Sequence, residues 1–301
     1  YSFPVVCSGF STPAVHAAVS LLFFGFCANL LNISINTQAV AVEALYQKRL
    51  MATFHGLWSL AGFGGAAIGT WMIGQAVSPL HHFIFICVIF LIAIAISAFH
   101  LVEKDNSTNE KKPLLALPDK ALLGLGLIAF CSMMVEGAMF DWSGIYFSQV
   151  VHADSELTGV GYTTFMIAMA GMRFVADALV GHFGLKRILQ SSGVLATMGL
   201  LLVVAFPQLL PASLGFLLIG MGVSSVVPMV YSAAGKSKTM NAGMAITAVS
   251  SLGFMGFLIG PPIIGFIAEG SSLRGSFLAL TLMSSAVIAL SSVWRYEKNN
   301  N

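Results

Sequence analysis

SLAGFGGAAIGTWMIG (59–74) and SSLGFMGFLIGPPIIG (250–265) are two copies of one pattern. Ser59, Gly62, Phe63, Gly65, Ile68, Gly69 and Gly74 return 191 positions later as Ser250, Gly253, Phe254, Gly256, Ile259, Gly260 and Gly265. Each copy lies in an apolar run long enough to cross hydrocarbon about 30 Å thick as a helix rising 1.5 Å per residue. Each is also entered from a basic segment, Lys48 and Arg49 before the first, Lys236 and Lys238 before the second. The copies therefore point the same way through the membrane, a parallel rather than an inverted repeat.

Composition extends this reading to the whole chain. Of 301 residues, 57% are hydrophobic and 9% charged, and mean hydropathy is +0.88. Soluble domains carry about 25% charge, so a single water-facing globule is excluded. Pro, Gly and charge punctuate the sequence into nine full spans, at 14–42, 50–74, 80–102, 120–149, 157–180, 186–206, 212–234, 240–268 and 275–296, with a partial span at 1–10. Basic residues alternate between the connections. Lys48 and Arg49, then Lys104, Lys111, Lys112 and Lys120, then Lys186 and Arg187, then Lys236 and Lys238, then Arg295 and Lys298 occupy every second one. The intervening connections hold only Arg274. By the positive-inside rule this predicts a multi-pass protein of a cell inner membrane with a cytoplasmic C-terminus.

The polar stretch 103–118 reads as a cytoplasmic linker between two bundles, 1–102 and 119–301. With the second bundle starting near 119, the repeat offset predicts that the first starts about 70 residues before Tyr1. Roughly two and a half helices of the first bundle are then expected to be missing, no signal peptide is expected at Tyr1, and the 301-residue chain by itself is expected to be inactive. Cys7, Cys27, Cys87 and Cys131 are scattered singly, which suits small buried thiols and neither a zinc site nor a disulfide framework. The chain has no phosphate-binding Gly-x-x-x-x-Gly-Lys, no HExxH and no nucleophile elbow, so no enzyme, cofactor, metal or nucleic-acid partner is expected.

Three stretches carry a family resemblance. GMRFVADALVGHFGLKRIL (171–189) resembles the loop motif between the second and third helices of a major facilitator half, with Arg173, Asp177, Gly184, Lys186 and Arg187 at its charged and glycine positions. Gly181 stands where the commonest version has Asp, which alters the usual charge relay. Glu136-Gly137 with Asp141-Trp142-Ser143, and GFLIGPPIIGFIAE (256–269) together with FHGLWSLAGFGGA (54–66), resemble a bacterial group that includes sugar-permease-like members and the rhizopine transport protein. The superfamily resemblance spans the chain. It implies an all-α membrane protein of two pseudo-symmetric six-helix bundles, carrying a small-molecule solute by alternating access.

Certain polar residues in the apolar spans then become candidates. Glu136 lies halfway along its span and Asp141 a turn and a half further out, about 140° round the helix. A charge at the bilayer centre costs about 2.5–3.5 kcal/mol, so each needs a partner, a wet cavity or a proton. Glu136 is the favoured proton-coupling site, with Asp141 and His55 as further members; helix-packing hydrogen bonds are the alternative for all three. Asn29, Asn32 and Asn36 share one face of the span 14–42 with Gly25 and Glu43, while Gln38 faces the other way. Carboxamides suit a hydroxyl-rich solute, as does the ring of Trp142, although interhelical bonding and interfacial anchoring explain them equally. Arg173 and Asp177, spaced i, i+4, can pair on one helical face and with Lys186 and Arg187 form a cytoplasmic gate. Gly260, Pro261 and Pro262 are expected to bend their helix as a hinge. The first-half counterpart has no proline and so lacks the motif of drug–proton antiporters.

The expectation is a monomeric proton-coupled symporter of a small polar, sugar- or polyol-like solute in the lipid bilayer. Export of amphipathic compounds and a non-transporting membrane sensor or assembly component stand as alternatives.

Overall fold

The computed structural model describes residues 14–102 and 119–294. Among them are ten α-helices and no strand. Three precede the central segment: α1 (Ala14–Tyr46), α2 (Met51–Gly74) and α3 (Pro79–Ala98). Seven follow it: α4 (Lys120–Gln149), α5 (Val160–Phe183), α6 (Leu185–Ala205), α7 (Leu209–Ser224), α8 (Val226–Ala234), α9 (Ala242–Gly270) and α10 (Leu273–Val293). Helices are what lipid permits, because each closes its own backbone hydrogen bonds. The partial span at 1–10 and the linker at 103–118 lie outside the described residues.

Eight of the described helical stretches are long and apolar enough to cross a membrane. The remaining long helix, α2, has 24 residues, about 36 Å at 1.5 Å per residue, which is also sufficient length. Its glycines, His55, Trp58 and Trp71 dilute its hydropathy. The span expected at 212–234 is divided into α7 and α8 at Ser225. Pro228 is the cause, since it has no N–H to donate to the carbonyl of Ser224 four residues earlier.

The chain forms two compact units. Residues 14–46 and 57–102 make one, and 47–56 with 119–294 the other. The first turns of α2 thus belong to the second unit. In the first unit, α3 is apolar all round and has no buried residue, a surface made for hydrocarbon. Gln38 of α1 clasps the backbone of Val102, donating to its carbonyl at 3.3 Å and accepting from its N–H at 3.0 Å.

In the second unit, Tyr146, Phe147, Phe165, Phe216 and Phe277 form an aromatic core in which the Tyr146 and Phe277 rings lie 4.2 Å apart. Glycine contacts bring the backbones together elsewhere, as in small-residue interfaces within membranes. A Cβ at Gly260 would come within 2.9 Å of the Met134 carbonyl, and one at Gly256 would overlap the carbonyl of Phe130. These contacts join α9 to α4. Gly184, at φ +83°, makes the turn from α5 into α6 that other residues rarely adopt.

Asp119 caps α4, accepting from Leu122 N–H at 2.8 Å, and ties it to the approach to α9 by accepting from the Thr239 hydroxyl at 2.7 Å. Partial burial alone raises its carboxyl, but the bonds from Leu122, Thr239 and Ala121 hold it below the ordinary aspartate value. A depressed native value means that the stabilisation is complete above the unfolded value, about 3.9, and is lost as the pH falls through the native one. Hydrogen exchange at Leu122, corrected for its intrinsic rate, should therefore accelerate on acidification in the wild type. Asp119→Asn keeps a capping oxygen and cannot titrate, so that acceleration should disappear.

Candidate functional site

The strongest constellation lies inside the second unit, where α4, α5, α8, α9 and the start of α2 converge. Glu136 of α4 and Arg173 of α5 are both buried, with Arg173 Nη2 3.6 Å from Glu136 Oε1. The adjacent Gly137 lets α9 come close, for a Cβ there would meet the Phe257 carbonyl at 2.9 Å. Pro261 cannot donate to that carbonyl, so the glycine contact covers a backbone oxygen freed by proline. Arg173 also donates from Nε to the Ser224 carbonyl at 3.3 Å, the oxygen left open by Pro228. One guanidinium thus meets a buried carboxylate and an orphaned carbonyl together, which is how a cation becomes tolerable in a low-dielectric interior.

Two rings border this pair. Tyr231 of α8 is buried, is hydrogen-bonded to Ser250 and lies near enough to Glu136 to sense its charge. His55 is also buried, and its imidazole meets Tyr231 edge-on with centroids 6.2 Å apart. Ser250 is the first residue of the second repeat copy.

Asp177, one turn beyond Arg173, reaches the first turn of α2. It accepts from Ala52 N–H at 3.2 Å, from Thr53 N–H at 2.7 Å and from the Thr53 hydroxyl at 2.7 Å. The i, i+4 spacing suggests a pair between Arg173 and Asp177; the structure also brings Arg173 to Glu136 and Asp177 to the start of α2. The reason is electrostatic, since unbonded amides at a helix start attract a carboxylate as a capping residue does. Removing such a cap costs about 1 kcal/mol. Asp177→Ala should accordingly speed amide exchange of Ala52 and Thr53 several-fold while leaving Leu122 unchanged, as read by hydrogen-exchange mass spectrometry.

The other candidates are dispersed. Asp141 is exposed. Trp142 is half-buried and donates its indole N–H to the Pro261 carbonyl at 3.0 Å, so the aromatic candidate is fastened to the proline-bearing helix. That helix, α9, continues unbroken through Gly260, Pro261 and Pro262. Lys186 donates to the Ser292 carbonyl at 2.5 Å, joining the start of α6 to the end of α10, and Arg187 is exposed beside it. In the first unit, Asn36 is buried and donates to the Asn32 carbonyl at 2.8 Å and to its side-chain oxygen at 3.3 Å, while Asn29 is exposed.

Tyr231, Thr53 and Gln38 were not legible as partners in the sequence. Pro228 was the available signal for an orphaned carbonyl at Ser224, and nothing marked Tyr231 beyond being a phenol in an apolar run. Among the described residues, no group of three or more His, Cys, Asp or Glu gathers as a metal site.

Comparison with known proteins gives the family and the fold. A family model described as Major Facilitator Superfamily matches residues 2–239 and, in an overlapping match, 145–301. An uncharacterised MFS-type transporter of Yersinia pestis is 31% identical over 93% of the chain and 72% of its own length. An uncharacterised transporter of Sinorhizobium fredii is 32% identical over 92% and 74%, and the membrane protein MosC of Rhizobium meliloti is 30% identical over 91% and 67%. Among solved structures, the major facilitator FucP in its outward conformation superposes with a TM-score of 0.83 at 12% identity, covering 98% of this chain and 80% of its own. The human organic anion transporter MFSD10 superposes at 0.76 with 16% identity, covering 96% and 74%. The relatives are named as transporters or membrane proteins rather than as enzymes. The chain is a multi-pass membrane transporter with the major facilitator fold, and it belongs to the major facilitator superfamily.

Proposed function

We propose that this transporter couples the entry of protons to the uptake of a small polar, sugar- or polyol-like solute by alternating access in an inner membrane, with its C-terminus cytoplasmic. The observation that carries the coupling is the buried Glu136–Arg173 pair. A carboxylate held by a buried guanidinium has two stable conditions: ionised and paired, or protonated and released. Protonating Glu136 removes its charge from beside Arg173 and shifts the guanidinium towards its other partners, the Ser224 carbonyl among them. Arg173 lies one turn from Asp177 on α5, and Asp177 holds the start of α2. A proton taken up at Glu136 is thereby linked through one rigid helix to a contact with the fifth helix of the superfamily's first half.

The solute class is drawn from the carboxamide face of α1, where Asn29, Asn32 and Asn36 offer donors and acceptors of the kind hydroxyl groups use. Support of a weaker kind comes from a fold neighbour, the fucose:proton symporter FucP of E. coli, at a TM-score of 0.60 and 14% identity. The fold is common to both proteins; the solute and the ion are part of the proposal. A membrane potential supplies about 2.3 kcal/mol per charge per 100 mV, enough for useful accumulation. The test is uptake of a panel of labelled sugars, polyols and amphipathic compounds into proteoliposomes carrying the transporter with both six-helix bundles, with and without an imposed pH gradient. Gradient-driven accumulation of a hydroxylated solute is expected. Flux indifferent to the gradient, or efflux of amphipathic compounds alone, would reject it.

A further inference from the structure

Away from the buried pair, the second unit has a cavity of about 790 Å³ at one end of its helices. Arg49, Lys186, Arg187 and Lys236 line it, and among its described lining residues none is acidic. Phe183 and Trp294 contribute apolar walls. Four cations face one recess, and an anion in the space between them is attracted by all four. Its volume is in the range of small-ligand sites, which run from about 300 to 1,000 Å³.

The backbone adds to this field. Gly184 opens α6 without a side-chain cap, so the amides of its first turn lie beside the recess with partial positive charge. The elements arrive from several directions: Arg49 precedes α2, Lys186 and Arg187 open α6, Lys236 follows α8, and Trp294 follows α10. All are helix ends. That is the depth of headgroups rather than of acyl chains, and Trp is a residue of that boundary.

We infer that this recess binds the phosphate of an anionic phospholipid headgroup. The basic connections that line it are those the charge alternation assigns to the cytoplasmic side, where anionic lipids meet clustered Lys and Arg. The apolar walls suit the glycerol and first methylenes of a lipid, which a free phosphate lacks. A lipid seated there joins the start of α6 to the end of α8 and to the segment leading into α2.

The experiment uses the whole chain, purified in neutral detergent and titrated with short-chain phosphatidylglycerol or phosphatidylcholine, with bound lipid counted by native mass spectrometry. Retention of phosphatidylglycerol over phosphatidylcholine is expected. Arg49→Gln and Lys236→Gln should each weaken it about fivefold and together about 25-fold, whereas Lys236→Arg keeps the charge and the binding. Equal retention of the two lipids, or wild-type affinity in a double variant that elutes as a folded monomer, overturns the site. Competition by millimolar inorganic phosphate with no lipid preference overturns the lipid assignment and leaves a soluble phosphate compound as the ligand.

Discussion

Glu136→Gln is expected to abolish uptake driven by a pH gradient and to lower the stability of the transporter. The two effects have different causes and can be separated. Glutamine keeps the shape of the side chain but cannot ionise, so the protonation step vanishes and accumulation should fall to the level of empty vesicles. It also takes the Glu136 charge away from the buried Arg173. Breaking one side of a buried pair costs about 3–5 kcal/mol, more than pairing itself contributes, because the remaining charge stays desolvated. The Arg173 bond to the Ser224 carbonyl survives and moderates the loss. Replacing both partners, Glu136→Gln with Arg173→Gln, should therefore recover much of the thermal stability lost in the single variant without recovering gradient-driven uptake. Wild-type accumulation by the single variant would sink the coupling role. Recovery of both properties in the double variant would reduce the pair to a structural one.

Gly256→Val should disrupt the packing of α9 on α4 outright. The added Cβ overlaps the carbonyl of Phe130, and a backbone carbonyl cannot rotate aside as a side chain can. Overpacking of this kind costs about 3 kcal/mol or more. At roughly 2–4 °C per kcal/mol, melting should fall by about 10 °C, with loss of monomer on gel filtration. Wild-type melting and an unchanged monomer peak for Gly256→Val would contradict the close backbone approach.

The repeat was legible as glycines at a 191-residue spacing; that Gly253, Gly256 and Gly260 press against Ala129, Phe130, Met133 and Met134 of α4 was not. The candidate site was legible in parts. Glu136 was conspicuous because an ionisable group in an apolar span is costly, and Arg173 because its motif is specific. Their meeting was not legible, since Glu136 and Arg173 lie on separate helices 37 positions apart. Gln38 shows the same limit: placed opposite the asparagine face, it closes on Val102 across 64 residues.

The pattern of SLAGFGGAAIGTWMIG and SSLGFMGFLIGPPIIG, with the charge alternation around it, was sufficient for helices, spans and a parallel repeat. Those follow from hydropathy and charge along a line, because the bilayer sorts segments one at a time by how much polarity they carry. Which carboxylate meets which guanidinium, which glycine touches a backbone and which cations share a recess depend on the rotation and lateral packing of separate helices. No single segment encodes that, and only the tertiary structure decided it.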